Sequence, residues 1–261
     1  MLIREPESVT LPTQSGPMNV TLFRPADAGR YPGVVFFSEI FQITGPIRRT
    51  AAMLAGHGHV VAVPEIFHEL EAPGCVLAYD KPGADRGNAD KVGKPVSAYD
   101  DDCRVCLDLL EADESCNGRL GAMGICIGGH LAFRAAMHPR CRAAACYYPT
   151  DIHSATLGRG GDDSLRRVGE IKGEMLMIFG RQDPHIPLAG RDLIRAALEM
   201  AGVTYQWHEF NAQHAFIRDE GHRYDPALSS ICAQMTLEMF RRRLGVETET
   251  PGTGGPGRDE C

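Results

Sequence analysis

The sequence predicts an α/β fold with a mainly parallel, doubly wound sheet and helices on both faces. Continuous apolar runs of strand length recur along the chain, which is typical of strands buried on both faces. Segments with helical spacing separate these runs, and such alternation favours parallel strands. A chain of 261 residues fits one large domain of this kind, which we place at residues 1–246.

Local patterns predict the elements of the first half of the chain. Ser97 is the predicted N-cap of one helix. Residues 65–99 contain repeated Pro and Gly, so we predict a long irregular loop, a kind of segment that is more often functional than idle. The predicted strands lie at residues 18–25, 34–38 and 59–64, and the predicted helices at 47–56 and 97–110, with residues 18–25 as an early edge strand.

The second half of the chain continues the alternation. Gly202 fits the end of one predicted helix, and Pro226 fits the first turn of the last one. Residues 247–261 are rich in Gly, Pro, Thr and Glu, so we predict a disordered tail there. The predicted strands lie at residues 120–123, 143–148, 174–180 and 204–210, and the predicted helices at 131–138, 188–201 and 226–244.

Composition and charge argue against several classes of partner. A net charge of −7 and a pI near 5.8 give no support to binding of nucleic acid or of an anionic membrane. No apolar segment reaches the length of a bilayer span, and the first residues lack the pattern of a signal peptide. The nine cysteines are scattered, which is typical of reduced thiols. We therefore expect a cytoplasmic protein. We also expect a monomer whose partner is a small-molecule substrate.

Residues 124–129 form the pattern Gly-x-Cys-x-Gly-Gly between a predicted strand and a predicted helix. The central residue of such a turn is strained and its side chain is exposed, and glycines flank it because the two backbones pass closely. Here that residue is Cys126, near a helix N-terminus that favours a thiolate. A lone cysteine is more often a buried packing residue, so a nucleophile is predicted only if an acid and a histidine follow.

Three further polar residues follow predicted strands, namely Glu39, Asp183 and His214. The order nucleophile, acid, histidine is that of the α/β-hydrolase triad, so we predict the α/β-hydrolase fold. In this interpretation Cys126 attacks an acyl carbon, His214 carries the proton, and Asp183 orients His214. Each residue alone could be an ordinary turn or surface residue. Together they indicate an active site outside the carboxyl ends of the strands.

The chain resembles the dienelactone hydrolases, cysteine-based members of the α/β-hydrolase fold that open the lactone ring of dienelactone. The resemblance rests on residues 39–41, 124–129, 180–184 and 214–218, and it covers about residues 10–243. It implies a carboxylic ester hydrolase (carboxymethylenebutenolidase) that opens a small carboxylate-bearing lactone or ester through a thioester acyl-enzyme. It implies no metal and no organic cofactor.

The resemblance also implies how the thiol is activated. Glu39 would pair with Cys126 and take its proton once substrate is bound. A carboxylate is a weak base for a thiol, so this transfer requires a dry site that raises the pKa of Glu39. The backbone N–H groups of Ile127, after the nucleophile, and of Ile40, after an early strand, are the predicted oxyanion hole.

Three residues are expected to bind the substrate. Arg218, four residues after His214, matches the arginine that holds the substrate carboxylate in the family. Arg86 would be a second substrate arginine in the long loop, although residues 69–95 differ in length and sequence from the bacterial catabolic enzymes. Tyr148 is expected either to line the pocket or to pack in the core.

Other motifs are not assigned a function. Cys103 and Cys106 have CxxC spacing, but they lie within a predicted helix and no second pair follows, so we predict two packing thiols. The remaining histidines form no HExxH or similar set, so no metal site is predicted. Residues 158–163 are rich in glycine but lack the Lys-Ser/Thr ending of a phosphate-binding loop.

Two alternative functions remain open from the sequence. One keeps the fold and gives a general carboxylesterase or thioesterase. The other is a non-catalytic, hydrolase-like binding protein or a redox sensor built on Cys126. The presence of the elbow together with Asp183 and His214 favours an enzyme over this second alternative.

Overall fold

An eight-stranded sheet forms the centre of the computed structural model, which describes residues 1–245. The predicted tail at 247–261 lies outside the described residues. The strands are β1 Glu7–Thr13, β2 Gly16–Phe23, β3 Tyr31–Phe37, β4 Val60–Pro64, β5 Cys116–Ile125, β6 Cys141–Tyr147, β7 Glu174–Gly180 and β8 Tyr205–Phe210. Their order across the sheet is β1-β2-β4-β3-β5-β6-β7-β8.

The strands from β3 to β8 are all parallel, which confirms the predicted α/β fold. β1 and β2 form an antiparallel hairpin that adds to β4. The central strands are buried along most of their length, as their continuous apolar sequences predict. Because the carboxyl ends of β3, β5, β7 and β8 lie on the same edge, the loops that follow them can meet there.

Six α-helices lie among residues 1–245, namely α1 Gly45–Gly56, α2 Lys81–Gly93, α3 Val96–Ala112, α4 Ile127–Ala135, α5 Leu188–Met200 and α6 Pro226–Leu244. α1 packs on β2 and β4, whereas α3 and α4 pack on the central strands and on each other, and α6 packs on β5, β6 and β7. No helix among residues 1–245 has both the length and the apolar character that crossing a membrane would require.

The segment predicted to be an irregular loop contains α2, so this prediction was wrong over residues 81–93. The carboxylate of Asp80 accepts a hydrogen bond from Gly83 N at 2.8 Å, which caps the helix. Gly87 permits close packing, because a Cβ there would lie 2.4 Å from the carbonyl oxygen of Ile40. The same Pro and Gly residues that suggested a loop therefore serve the start and the packing of a helix.

Two boundaries also differ from the prediction. The edge strand is β1, and residues 18–25 correspond to β2, which is paired on both sides. α3 begins at Val96 with Pro95 at the N-cap, so Ser97 lies inside the first turn and is not the cap. β1 was missed because its half-exposed sequence has no apolar run.

A buried ion cluster fixes the segment that leads into α2 and α3. Nζ of Lys94 lies 3.0 Å from the carbonyl oxygen of Ile66 and 2.8 Å from Oε1 of Glu69, and it also contacts the carboxylate of Asp102. Nε2 of His68 lies 3.1 Å from Oδ1 of Asp102. The two carboxylates and His68 are close enough to hold a metal ion, but the Lys94 ammonium group already supplies their positive charge.

Candidate active site

The turn between β5 and α4 has the geometry of a nucleophile elbow. Cys126 has φ 62° and ψ −122°, a strained conformation for a residue with a side chain. A Cβ on Gly124 would lie 1.8 Å from the carbonyl oxygen of Gly128, and one on Gly128 would lie 2.2 Å from that of Phe37. Glycine is therefore required at both positions, as the sequence pattern predicts. The Cys126 side chain lines a cavity at the carboxyl edge of the sheet.

His214 and Asp183 meet beside this elbow. Nδ1 of His214 lies 2.6 Å from Oδ2 of Asp183, and both residues are buried. The loops after β7 and β8 can approach because Gly180 has no side chain, since a Cβ there would lie 2.5 Å from the carbonyl oxygen of Ala212. Burial alone would lower the pKa of His214, but the neighbouring Cys126 and the hydrogen bond to Asp183 together raise it to about 10.

Glu39 is buried at the end of β3, where its carboxylate contacts Tyr79 and Arg218. The Tyr79 hydroxyl donates a hydrogen bond of 2.5 Å to Oε1, and Nη1 of Arg218 lies 3.8 Å from Oε2. Burial raises the pKa of Glu39, although both contacts lower it. No hydrogen bond joins Glu39 to Cys126 within residues 1–245. Glu39 and Cys126 line the same cavity, and their pairing stays a prediction.

Arg218 lines the same cavity and lies against two aromatic rings. Its guanidinium carbon lies 4.1 Å from the ring centre of Tyr79 and 6.0 Å from that of Phe41. Nε of Arg218 donates to the carbonyl oxygen of Glu220 at 3.1 Å. The arginine is thus held in place while part of its guanidinium group faces the cavity, as expected for a group that binds a carboxylate.

The cavity has a volume of about 440 Å³, which is in the range of small-molecule sites. Polar and apolar groups contribute about equally to its wall. Three of the lining residues were not predicted, because they lie in segments without periodic patterns, namely Tyr79, Lys91 and Arg223. Among the residues that line the cavity are Glu39, Ile40, Phe41, Tyr79, Lys91, Cys126, Asp151, His185, His214, Arg218 and Arg223.

His185, which the sequence patterns assign to no site, lines the cavity. Its ring centre lies 4.7 Å from that of His214, and its backbone N–H donates to Oδ1 of Asp183 at 2.8 Å. Burial lowers the pKa of His185, and the nearby His214 lowers it further. Its position two residues after Asp183 was the signal that could have placed it at the site.

The predicted oxyanion-hole donors lie on either side of the elbow. Ile127 is the first residue of α4, and Ile40 lies in the loop after β3 and lines the cavity. Neither backbone N–H donates a hydrogen bond to another residue of the described chain. Both N–H groups are therefore free to donate to an oxygen atom of a substrate. Their role as the oxyanion hole stays a prediction.

Two predicted substrate-binding residues do not reach the cavity. The guanidinium group of Arg86 forms an ion pair with the carboxylate of Glu71, and 59% of the Arg86 side chain is exposed. Arg86 is not part of the cavity wall because α2 directs it to Glu71. Tyr148 is fully buried, with its ring centre 4.8 Å from that of His214 and 5.5 Å from that of Phe216. It packs behind His214 and does not line the main cavity.

The two cysteines with CxxC spacing pack in the core. Cys103 and Cys106 lie in α3 and are buried. Burial raises the pKa of both thiols well above the ordinary range, so they stay neutral. Cys103 and Cys106 are therefore packing thiols. Cys126 differs from them because it faces a cavity that also contains His214.

Comparisons with known proteins agree with this architecture. The model of the dienelactone hydrolase family matches residues 18–244. A Saccharomyces cerevisiae protein, provisionally named a carboxymethylenebutenolidase, is 44% identical over 242 residues, which cover 88% of each chain. The carboxymethylenebutenolidase of Pseudomonas putida is 26% identical over 215 residues, covering 80% of this chain and 85% of its own.

The fold has close counterparts among solved structures. A Klebsiella pneumoniae protein, provisionally named a dienelactone hydrolase, superposes with a TM-score of 0.81 at 24% identity. The match covers 93% of this chain and all of the other chain. At this level of identity the likeness concerns the fold, including the order of the strands that carry the candidate site.

Proposed function

We propose that this chain, which belongs to the dienelactone hydrolase family, opens a small carboxylate-bearing lactone or ester through an acyl-enzyme on Cys126. Members of this family hydrolyse lactones or esters, and the chain is a hydrolase of this kind. One observation carries the finer proposal. Cys126, on a strained elbow, shares a cavity with His214, whose Nδ1 lies 2.6 Å from Asp183.

In the proposed reaction the sulfur of Cys126 attacks the carbonyl carbon of the substrate. The negative charge that develops on the carbonyl oxygen is met by the backbone N–H groups of Ile127 and Ile40. The carbon–oxygen bond of the lactone then breaks, and His214 gives a proton to the leaving oxygen. The product of this half-reaction is a thioester that still carries the opened ring.

Hydrolysis of the thioester completes the cycle. His214, now neutral, takes a proton from a water molecule that attacks the thioester carbon. The carbon–sulfur bond breaks, the carboxylic acid leaves, and the Cys126 thiolate takes back the proton that Glu39 accepted from it, which restores the thiol. Asp183 keeps His214 in the tautomer that both steps need and stabilises its charged form.

Glu39 is proposed to accept the proton of the Cys126 thiol. Its burial supports this role, because burial raises the pKa of the carboxylate and makes it a better base. To act on the thiol, the Glu39 carboxylate has to give up at least part of its contact with Tyr79 and Arg218. A substrate carboxylate that binds Arg218 would compete for that contact, and so would couple substrate binding to thiol activation.

Arg218 is proposed to hold the carboxylate of the substrate. A guanidinium group can donate two parallel hydrogen bonds to a carboxylate, which fixes orientation as well as charge. The stacking on Tyr79 at 4.1 Å supports the role, because an arginine already held in place loses less freedom when it binds. A neutral ester would gain nothing from this group, so Arg218 favours the lactone proposal over a general esterase.

The proposal is tested with purified wild type, Cys126→Ala and Cys75→Ser, the last as a control in a half-exposed cysteine outside the cavity. We expect wild type and Cys75→Ser to hydrolyse dienelactone, and Cys126→Ala to be inactive. Intact mass spectrometry of quenched wild type should show the mass of one acyl group. A wild type that hydrolyses neither dienelactone nor nitrophenyl acetate, and whose Cys126 is not alkylated by iodoacetamide, would contradict the proposal.

We also propose a cytoplasmic monomer. A thiol nucleophile has to stay reduced, and the cytoplasm keeps thiols reduced. Fractionation of the source cells and light scattering of the purified protein test these two points. Recovery from an oxidising compartment, or the mass of a dimer, would contradict them.

A further inference from the structure

The loop between His214 and α6 brings a second arginine, Arg223, to the cavity that contains Cys126. We propose that Arg223 binds the anionic group of the substrate together with Arg218. This inference rests on the proposed function, since it concerns the substrate of the same site. It replaces the long-loop arginine expected from the sequence, Arg86, whose guanidinium group is occupied by Glu71 outside the cavity.

The charges along the cavity wall single out Arg223. Nζ of Lys91 lies 2.9 and 3.0 Å from the two carboxylate oxygens of Asp151, so its charge is matched. Lys81 pairs with Asp85 at 2.5 Å, and Arg218 faces Glu39. Among residues 1–245, Arg223 is the one cation of this wall with neither an ion pair nor a hydrogen bond.

The Arg223 side chain also has an unsatisfied donor. Its Nε is shielded from solvent and has no hydrogen-bond partner in the described part of the chain. A buried N–H without a partner is costly, and such groups at the wall of a cavity are commonly satisfied by a ligand. A carboxylate in the cavity would supply both the acceptor and the missing negative charge.

The loop that carries Arg223 is fixed at both ends. The N–H of Asp225 donates to the carbonyl oxygen of Phe216 at 2.8 Å, which closes the loop. Arg49 of α1 binds Asp219 at 2.6 and 2.8 Å and Glu220 at 2.8 Å. Because the backbone of the loop is held before substrate arrives, little ordering is left to oppose anion binding.

The chemistry of the two arginines predicts the class of ligand. Two arginines that line one cavity favour a planar carboxylate, which a guanidinium group can bind through paired hydrogen bonds. The single negative charge of Glu39 acts on both Arg218 and Arg223, so it can balance only one of the two arginines and leaves a positive charge that draws the anion in. A substrate without a negative charge would leave the Arg223 donor unsatisfied.

Kinetics on a charged and a neutral substrate test the assignment. For Arg223→Gln we expect KM for dienelactone to rise about tenfold or more, while kcat/KM for nitrophenyl acetate stays within about twofold. Arg223→Lys should fall between wild type and Arg223→Gln, because it keeps the charge without the planar fork. Arg195→Gln, in an exposed arginine of α5, is the matched control. Equal losses on both substrates, or a loss in Arg86→Gln instead, would overturn the inference.

A second readout separates this inference from the proposed function. Iodoacetate and iodoacetamide are thiol-alkylating reagents that differ in charge, so the ratio of their rates at Cys126 would report anion binding without lactone turnover. We expect this ratio to fall severalfold in Arg223→Gln. If wild type fails to open dienelactone, but the ratio of the iodoacetate rate to the iodoacetamide rate is lower in Arg223→Gln than in wild type, the lactone proposal fails and the anion site stands. If dienelactone is opened but neither KM nor the ratio depends on Arg223, the anion site fails and the lactone proposal stands.

Discussion

The hydroxyl of Tyr79 lies 2.5 Å from Oε1 of Glu39, so one oxygen of this buried carboxylate is engaged by a phenol. Thr44 also contacts the hydroxyl, at 2.7 Å, and this fixes the phenol ring. The same ring lies beneath the guanidinium group of Arg218. Tyr79 therefore links the candidate base to the candidate substrate-binding arginine, and it competes with the thiol for Glu39.

Replacing Tyr79 by Phe should move the acid limb of the pH profile. The substitution removes the hydroxyl but keeps the ring on which Arg218 stacks. Burial raises the pKa of Glu39 and the Tyr79 hydrogen bond lowers it, so loss of the hydroxyl raises the pKa further. A base acts only when deprotonated, so kcat/KM should reach its plateau at higher pH than in wild type. Profiles that coincide would contradict this, and Tyr205→Phe is the control.

Replacing Glu39 by Gln should lower kcat by about a hundredfold or more, which is typical for loss of a general base. KM for dienelactone should not rise, because the neutral side chain leaves Arg218 free for the substrate carboxylate. Steady-state kinetics separate the two effects. Glu170→Gln, in an exposed glutamate, is the control. A kcat equal to that of wild type would show that the thiol needs no carboxylate.

Replacing Asp183 by Asn should move the alkaline limb of the pH profile of kcat/KM to lower pH. The pKa of His214 is lowered by burial but raised to about 10 by Cys126 and Asp183. Because this value lies above the ordinary 6.5, the protonated form and the stability that it adds are complete below pH 6.5 and lost as the pH rises through about 10. The leaving oxygen needs that proton, so kcat/KM should fall near pH 10 in wild type.

In Asp183→Asn the fall should begin at lower pH, because the acceptor that stabilises charged His214 is gone. The pH at which kcat/KM falls is measured with nitrophenyl acetate, because this neutral substrate does not depend on Arg218 or Arg223. Asp192→Asn, on the exposed side of α5, provides the comparison. An unchanged alkaline limb would mean that Asp183 does not act through His214.

Replacing Arg218 by Ala should distinguish a lactone hydrolase from a general esterase. A charge-assisted contact is worth about 1.5–3 kcal/mol, so kcat/KM for dienelactone should fall about tenfold to a hundredfold. Hydrolysis of neutral nitrophenyl acetate should be little affected. Parallel assays of both substrates check the prediction. If both fall equally, Arg218 supports the site structurally, and the general esterase becomes the better proposal.

The proximity of Cys126, His214 and Asp183 could be predicted from local sequence patterns and from the topology of a parallel sheet. Each residue follows an apolar strand, and parallel strands bring their carboxyl ends to one edge. The partners of Glu39 could not be predicted in this way. Tyr79 comes from a segment without periodicity, and only the packing of α2 places it beside β3.

The direction of the Arg86 and Arg223 side chains could not be predicted either. Arg86 and Arg223 both lie outside periodic segments, so sequence alone could not say which of them faces the cavity. Arg86 is directed to Glu71 by α2, an element that was not predicted. The sequence did carry one signal for this helix, since Asp80 followed by Pro82 is a typical helix start.

Replacing Lys94 by Met should destabilise the protein without acting on the reaction directly. Its ammonium group is fully buried between Glu69, Asp102 and the carbonyl oxygen of Ile66. Removing it leaves two carboxylates close together without their cation, and breaking a buried pair costs about 3–5 kcal/mol. Urea unfolding should therefore show a lower free energy of unfolding, whereas Lys172→Met, at an exposed position, should change it by less than about 0.5 kcal/mol. A loss as small as that of the control would mean that the loop before α2 does not depend on this cluster.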